Sequence, residues 1–385
     1  MKLLFRILIA IALGIGAGYV MPEWGARIFA TVNAIFSQFL GFIIPLLILG
    51  FVALAIGEIG SKAGKMLAVT ALIAYVMTFA SGLFSFSVGS WAFPQLIETS
   101  NTLSATLNDD SIGGLLPYFT VEMPPLFGVT SALVLAFVVG LGMAYTGSDV
   151  LRKVFSEFRE IINRTIMSVI IPLLPIYIFG IFMNMTIEGQ VGRVLTTFVS
   201  IIVVIFVLHV VLLMAQFVIA GVVAKRNPFK LLAKMVPAYI TALGTQSSAA
   251  TIPVTLRQVK ELGVNDSIAG FVVPLCATIH MSGSALKITA CALALMIMQG
   301  MPWDFASFAG FAAMLGITIV AAPGVPGGAI MASLGLLSTM LGFSEADNAL
   351  MIALYIAMDS FGTACNVTGD GAVAIIVNRL FSKSE

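Results

Sequence analysis

Two short runs, Gly244-Thr245-Gln246-Ser247-Ser248 and Pro323-Gly324-Val325-Pro326-Gly327-Gly328, interrupt stretches that are otherwise apolar. Each lies midway in a segment too long for a loop, 228–257 and 301–343, and each is rich in helix-stopping residues. The flanking charges give the segments a direction. The first carries Lys230 and Lys234 at one end and Arg257 and Lys260 at the other; the second carries Asp304, then Glu345 and Asp347. Lys and Arg collect on the cytoplasmic side of a membrane, so the first segment reads as a hairpin from the cytoplasm and the second as a hairpin from outside. A break at membrane depth exposes N–H and C=O groups that persist only where protein or a water-filled cavity satisfies them. Two broken hairpins of opposite entry form the pattern of a secondary transporter built from inverted repeats, with substrate bound where the breaks meet. Helices kinked by Gly and Pro for packing alone are the plainer alternative.

Composition places the whole chain in a bilayer. Of its 385 residues 59% are hydrophobic and only 10% charged, and the mean hydropathy is +1.08; a soluble domain carries about 25% charge. A formal charge of +1 offers no basic face for phosphates, which excludes a nucleic-acid partner. Cys276, Cys291 and Cys365 all fall in apolar runs and read as small core residues. Spans run near 4–21, 29–57, 64–92, 126–147, 166–187 and 194–224, with less regular ones from 228 onward. The 4–21 run follows Lys2 and Arg6 and reads as a retained helix packed through Gly14, Gly16 and Gly18, a cleaved leader being the alternative. With both termini cytoplasmic, 16 of the 19 Lys and Arg fall inside; Arg27 and Arg193 fall outside, and Lys287 lies within a span. Residues 93–125, with Asn101, Asn108, Asp109, Asp110 and Gly113-Gly114, read as an external linker.

The last span, about 346–380, holds Asp359, Thr363, Asn366 and Asp370 at offsets of 0, 4, 7 and 11, so one helical face is polar along its length. Carboxylates in a bilayer mark a substrate or ion path by default; a structural stripe against a neighbouring helix is the alternative. The two aspartates are not a protease dyad, because eleven residues separate them by roughly 16 Å where a shared proton needs about 3 Å. His280 and Ser282 are two residues apart and do not face each other on a helix, and His209 stands alone in the sixth span, so hydrolytic chemistry has no base in place and the chain is not read as an enzyme. A channel lined by the stripe remains open, although a channel needs no paired hairpins.

With those residues placed, the chain resembles the dicarboxylate/amino acid:cation symporter family, the glutamate-transporter fold. Four motifs carry the resemblance over about 240–375: Gln246-Ser247-Ser248-Ala249-Ala250-Thr251-Ile252-Pro253-Val254-Thr255, the seventh-helix break Ala277-Thr278-Ile279-His280-Met281-Ser282-Gly283-Ser284, the second tip Gly324-Val325-Pro326-Gly327-Gly328, and Asp359 through Thr363, Asn366 and Gly369-Asp370. The N-terminal half matches more loosely, in helix count and in Tyr75 and Thr78. The resemblance implies an all-α fold of eight transmembrane helices and two re-entrant hairpins, working as an elevator in a homotrimer of the bacterial inner membrane. It implies helices one and two over 1–65, helix three over 66–92, linker and helices four to six over 93–225, and the transport-domain core over 226–385. It implies that Asp359 takes a substrate ammonium, that Asn366 with Ser247 and Ser248 takes its α-carboxylate, and that Ser284, Val325, Gly362 and Thr363 complete the substrate site. Sodium, the implied coupling ion and the only cofactor-like partner, would occupy one or two sites: Asp370 with carbonyls near Cys276, His280 and Asn366, and carbonyls around Thr278, Ile319, Val320 and Ala322.

The departures refine this. Acidic-substrate members carry an arginine where this chain has Gly362; without a guanidinium a second substrate carboxylate would be buried unpaired, so a neutral amino acid, serine-, threonine- or alanine-like, is expected, and the glycine leaves volume for its side chain. The motif set looks most like the sodium/serine-threonine branch. Glutamate carriers hold an aspartate at the position of Ser282 that forms a third sodium site with residues matching Tyr75 and Thr78; its loss lowers the expected stoichiometry. Lys287 reads three ways: a built-in cation paired with a carboxylate such as Asp359, a stem reaching toward a water-filled cavity, or a substitute for the missing arginine that would restore an acidic substrate. His280 reads as a core histidine, with proton coupling as the alternative.

Overall fold

The computed structural model describes residues 2–61, 64–97, 115–189, 191–320, 322 and 327–382; Asn101 to Gly114 of the linker and Pro323 to Pro326 of the second tip, Val325 included, lie outside the described residues. Every element is helical, and no strand occurs among the described residues. The N-terminal half runs α1 (Lys2–Gly18), α2 (Glu23–Ser61), α3 (Lys65–Leu96), α4 (Val129–Thr146), α5 (Asp149–Thr165), a π-helical turn (Ile166–Ile170), α6 (Ile171–Ile187) and α7 (Val191–Ala224). The first hairpin is α8 (Pro228–Lys234), α9 (Val236–Thr245) and α10 (Ser248–Glu261); the broken seventh helix is α11 (Asp266–Ile279) and α12 (Ser282–Gln299). The second hairpin is α13 (Phe305–Val320) and α14 (Gly328–Leu341), and the chain ends in α15 (Glu345–Ala357) and α16 (Asp359–Phe381). The fold is therefore the all-helical membrane architecture that the resemblance implies, with six helices among the described residues long and apolar enough to cross a membrane.

Two elements differ from that reading. The basic stretch with Arg152, Lys153, Arg159 and Arg164, expected as an inner connection, is the amphipathic helix α5, continuous with α6 through the π-turn as a 39-residue helix, Asp149–Ile187. At 1.5 Å per residue such a helix is about 58 Å long, roughly twice the hydrocarbon thickness, so its polar first half extends beyond it. The last span, expected as one helix, breaks at Met358 (φ −112°, ψ 11°). No glycine or proline marks Ala357-Met358-Asp359; the Tyr355 carbonyl there accepts the Met358 N–H and the Met358 carbonyl those of Phe361 and Gly362, and both also accept from Lys287 Nζ, at 3.3 and 3.4 Å.

The glycines and hydroxyls of the spans set how closely they pack. A Cβ on Gly14 would lie 2.6 Å from the Phe179 carbonyl and one on Gly18 would lie 2.4 Å from Thr186 Cβ, so α1 is pressed backbone to backbone on α6; Gly16 faces open space. α3 lies along α12, with Ser81 and Ser85 donating to the Ser282 and Leu286 carbonyls, each at 2.8 Å. All 18 residues of α12 are buried, with α3, α7, α15, α16 and the second hairpin packed against it, while the first hairpin packs on α11 and α16. The described end of the linker runs along α2, where Arg27 donates to the Leu116 carbonyl and Tyr118 N–H to Thr31. At the outer start of α13, the Ser307 hydroxyl and N–H bond Asp304 at 2.7 and 3.0 Å and hold its carboxyl below the usual aspartate range.

Candidate substrate and ion site

The tip of the first hairpin is shaped by Gln246, whose φ of +54° turns the chain in the left-handed region. Its side-chain amide donates to Ser360 Oγ at 2.7 Å, tying the tip to α16. Ser247 then caps α10, its Oγ accepting from Ala250 N–H at 3.2 Å, so the positive end of α10 opens where α16 begins. A cavity forms at that point. Ser247, Ser248, Ser284, Asp359, Thr363 and Asn366, all singled out in the sequence, line it together with Gln246, Ala277, Met281, Ala329 and Tyr355.

Asp359 is the first residue of α16 and stands at a helix N-terminus, where the dipole favours a carboxylate. Its Oδ2 accepts the Gly327 N–H at 2.9 Å, joining the second hairpin to α16, and its Oδ1 lies 3.3 Å from Lys287 Nζ. Lys287 is 0% exposed. Besides Asp359 and the two carbonyls at the break, its ammonium sits 3.3 Å from the centroid of the Tyr355 ring. The stem therefore does not reach for a water-filled cavity; the lysine is an internal cation paired with Asp359. Gly362 faces it: a Cβ there would lie 2.9 Å from Nζ and 3.2 Å from Cε. The volume expected to accommodate substrate beside Gly362 is thus filled by Lys287.

Asn366 holds the seventh-helix break. Its Oδ1 accepts the N–H groups of Gly283 and Ser284 at 2.7 and 3.3 Å, capping α12, while its Nδ2 donates to Ser284 Oγ at 3.1 Å. Ser284 Oγ also accepts from the Tyr355 hydroxyl at 3.2 Å, so α12, α15 and α16 meet through one hydroxyl.

The expected ion ligands fall into three neighbourhoods. Asp370 is buried with its Oδ1 3.0 Å from His280 Nδ1, and the Cys276 carbonyl accepts the His280 N–H at 2.9 Å. His280 Nε2 and Gln216 Oε1 are buried without a hydrogen-bond partner, and a Cβ on Gly369 would lie 2.5 and 2.6 Å from the imidazole and from Gln216 Oε1, so the glycine makes room for both. Around the second set, Thr278 bonds its own helix at Leu275, and Ile319 and Val320 end α13, with Ala322 N–H returning to the Ile319 carbonyl at 3.0 Å. The third set is divided among different partners. Tyr75 donates to the Ala313 carbonyl, Thr78 Oγ1 accepts the Met281 N–H, and Ser282 Oγ accepts from Gln216 at 3.0 Å. Among the described residues no three of His, Cys, Asp or Glu gather, and the donors in these neighbourhoods are mostly hydroxyls and carbonyls, which suit a hard cation.

Tyr355, Gln216 and His209 were missed as neighbours of the break. Tyr355 lies four residues before Asp359 and continues its stripe upstream, which was a usable signal. His209 and Gln216 are seven residues apart on one face of α7, and they reach the Gly283 carbonyl at 3.0 Å and Ser282 Oγ.

The comparisons with known proteins agree with this geometry. The family model of the sodium:dicarboxylate symporter family matches residues 3–380. The serine/threonine transporter SstT of Acinetobacter baumannii (strain AYE) is 28% identical over 385 residues, covering 96% of this chain and 94% of its own length. Excitatory amino acid transporter 2 of Mus musculus is 30% identical over 259 residues, covering 65% of this chain and 45% of its own length. With hairpins, broken helices and polar stripe in place across a match of nearly the whole chain, this protein belongs to the sodium:dicarboxylate symporter family.

Proposed function

We propose that the chain is a cation-driven symporter of neutral amino acids, serine, threonine and alanine among them, with sodium as the coupling ion. The observation that carries the substrate class is the commitment of Lys287. Gly362 supplies no guanidinium, and the only cation beside the site among the described residues is spent on Asp359, two carbonyls and the Tyr355 ring. A second substrate carboxylate would stand unpaired in a desolvated site. A zwitterion fits better: Asp359 receives its ammonium, and the N-terminus of α10 with the Ser247 and Ser248 hydroxyls receives its carboxylate. Thr363 and Ser284 face the same cavity. Asp370 with the carbonyls near Cys276, His280 and Asn366, and the carbonyls around Thr278, Ile319, Val320 and Ala322, would hold one or two sodium ions, fewer than glutamate carriers use because Ser282 brings no carboxylate to Tyr75 and Thr78.

The same proposal has α3 and residues 226–385 move as the transporting body against the remaining helices, in a homotrimer of the bacterial inner membrane with both termini cytoplasmic. The basic ends of the spans and the resemblance to SstT support that placement. Reconstitution into liposomes tests it: under an inward sodium gradient, labelled serine, threonine and alanine should enter saturably and labelled aspartate should not. Uptake of aspartate alone would overturn the substrate class, and equal uptake with sodium replaced by choline would overturn the coupling.

A further inference from the structure

We propose that Lys287 is a tethered stand-in for the substrate's ammonium: it holds Asp359 while the site is empty, which lets the unloaded carrier recross the membrane. This rests on the reading of the chain as an amino acid symporter. A carboxylate at membrane depth with no counter-charge is costly. When a zwitterion is bound, its ammonium neutralises Asp359; when the site is empty another cation must, and Lys287 Nζ is already 3.3 Å from Oδ1.

Three features suit the lysine to yielding and retaking that carboxylate. Its ammonium has three protons, and the Tyr355 and Met358 carbonyls and the face of the Tyr355 ring hold it independently of Asp359. An arriving substrate ammonium therefore takes over Asp359 without orphaning Lys287. Gly362 keeps the necessary space open, since any Cβ there would stand 2.9 Å from Nζ. The second oxygen of Asp359 accepts the Gly327 N–H at 2.9 Å, so one carboxylate joins the second hairpin to α16 while its other oxygen faces Lys287.

Exchange of an inside amino acid for an outside one never requires the empty carrier to cross the membrane, whereas net uptake does in every cycle. The experiment is therefore to reconstitute wild type, Lys287→Met and Lys287→Arg in liposomes and to measure two rates for labelled serine: net uptake into serine-free vesicles under a sodium gradient, and exchange against internal serine. The ratio of net uptake to exchange should fall about tenfold in Lys287→Met and recover at least partly in Lys287→Arg. A parallel fall of both rates in Lys287→Met, or an unchanged ratio, overturns the inference while leaving the symporter reading intact. If wild type takes up none of serine, threonine or alanine, the symporter reading fails and the inference with it. Should Lys287→Met not yield folded protein by gel filtration, the same ratio is read in Gly362→Ala, whose added methyl displaces Nζ from its place: a fall supports the inference and an unchanged ratio overturns it.

Discussion

Lys287 and Asp359 form a pair whose halves are worth unequal amounts alone. Removing the carboxylate by Asp359→Asn leaves a buried ammonium with carbonyls and a ring but no anion, and should cost about 3 kcal/mol of stability besides abolishing amino acid binding. The double variant Lys287→Met with Asp359→Asn should recover most of that loss without recovering binding; thermal unfolding in detergent and calorimetric titration with serine check both statements. Gly362→Ala should destabilise by about 1–3 kcal/mol, because the methyl overlaps Nζ, and should weaken serine uptake. At this scale the sequence was informative about identity and left pairing open among alternatives. The stripe from Asp359 to Asp370 is a local periodicity and could be read directly; Asp359, Thr363 and Asn366 of it line one cavity, while Asp370 lies apart on His280. The place of Lys287 could not be chosen from the sequence, since its partners lie about seventy residues away across a contact between α12 and the junction of α15 and α16, and pairing with Asp359 was only one of three readings open to a lysine in a span.

Among elements, the breaks written in Gly, Pro and Ser were legible and the break at Met358 was not. The first tip turns at Gln246 and is capped by Ser247, as its composition foretold; Ser247→Ala should cost about 1 kcal/mol through loss of the cap, measurable as a lower melting temperature. Gly327 has φ +79°, and a Cβ there would find open room, its nearest neighbour being Ile356 Cδ1 at 3.7 Å. Gly327→Ala should therefore cost about 1–2 kcal/mol through backbone strain alone, and it should weaken serine binding because the strain falls on the N–H that Asp359 accepts. Met358 gave no such sign. An ammonium from another helix bonds the carbonyls on either side of it, and a local reading of Ala357-Met358-Asp359 continues the helix. The helix α5 was not distinguished within the inner segment to which its charges were assigned, although their spacing leaves one apolar face.

For the molecule as a whole, the apolar runs were the most readable property, because the long helices stand where they do, and the placement of the nineteen basic residues adds to them the proposed hairpin directions. What it does not contain is the relation between the two bodies of the proposed elevator. That relation is expressed in contacts such as the one at Gly335 on α14, where a Cβ would lie 2.6 Å from a Val129 methyl and 2.8 Å from an Ile44 methyl. If α14 slides past α2 and α4 in each cycle, Gly335→Ala should slow maximal serine uptake several-fold while leaving the dissociation constant of serine within about twofold; a change confined to affinity would speak against the sliding face.

The opposition of Gly362 and Lys287 also constrains descent. A bulky cation cannot be introduced at position 362 while an ammonium occupies the space where its first side-chain carbon must go, so the order of substitution matters. A lineage passing between this site and one that carries arginine there has to surrender Lys287 first, or change both together, and the intermediate with neither cation leaves Asp359 alone. Ancestors and relatives of this chain should accordingly carry one of the two cations and rarely both, and a laboratory conversion to acidic substrates that begins with Gly362→Arg should fail where one beginning at Lys287 succeeds.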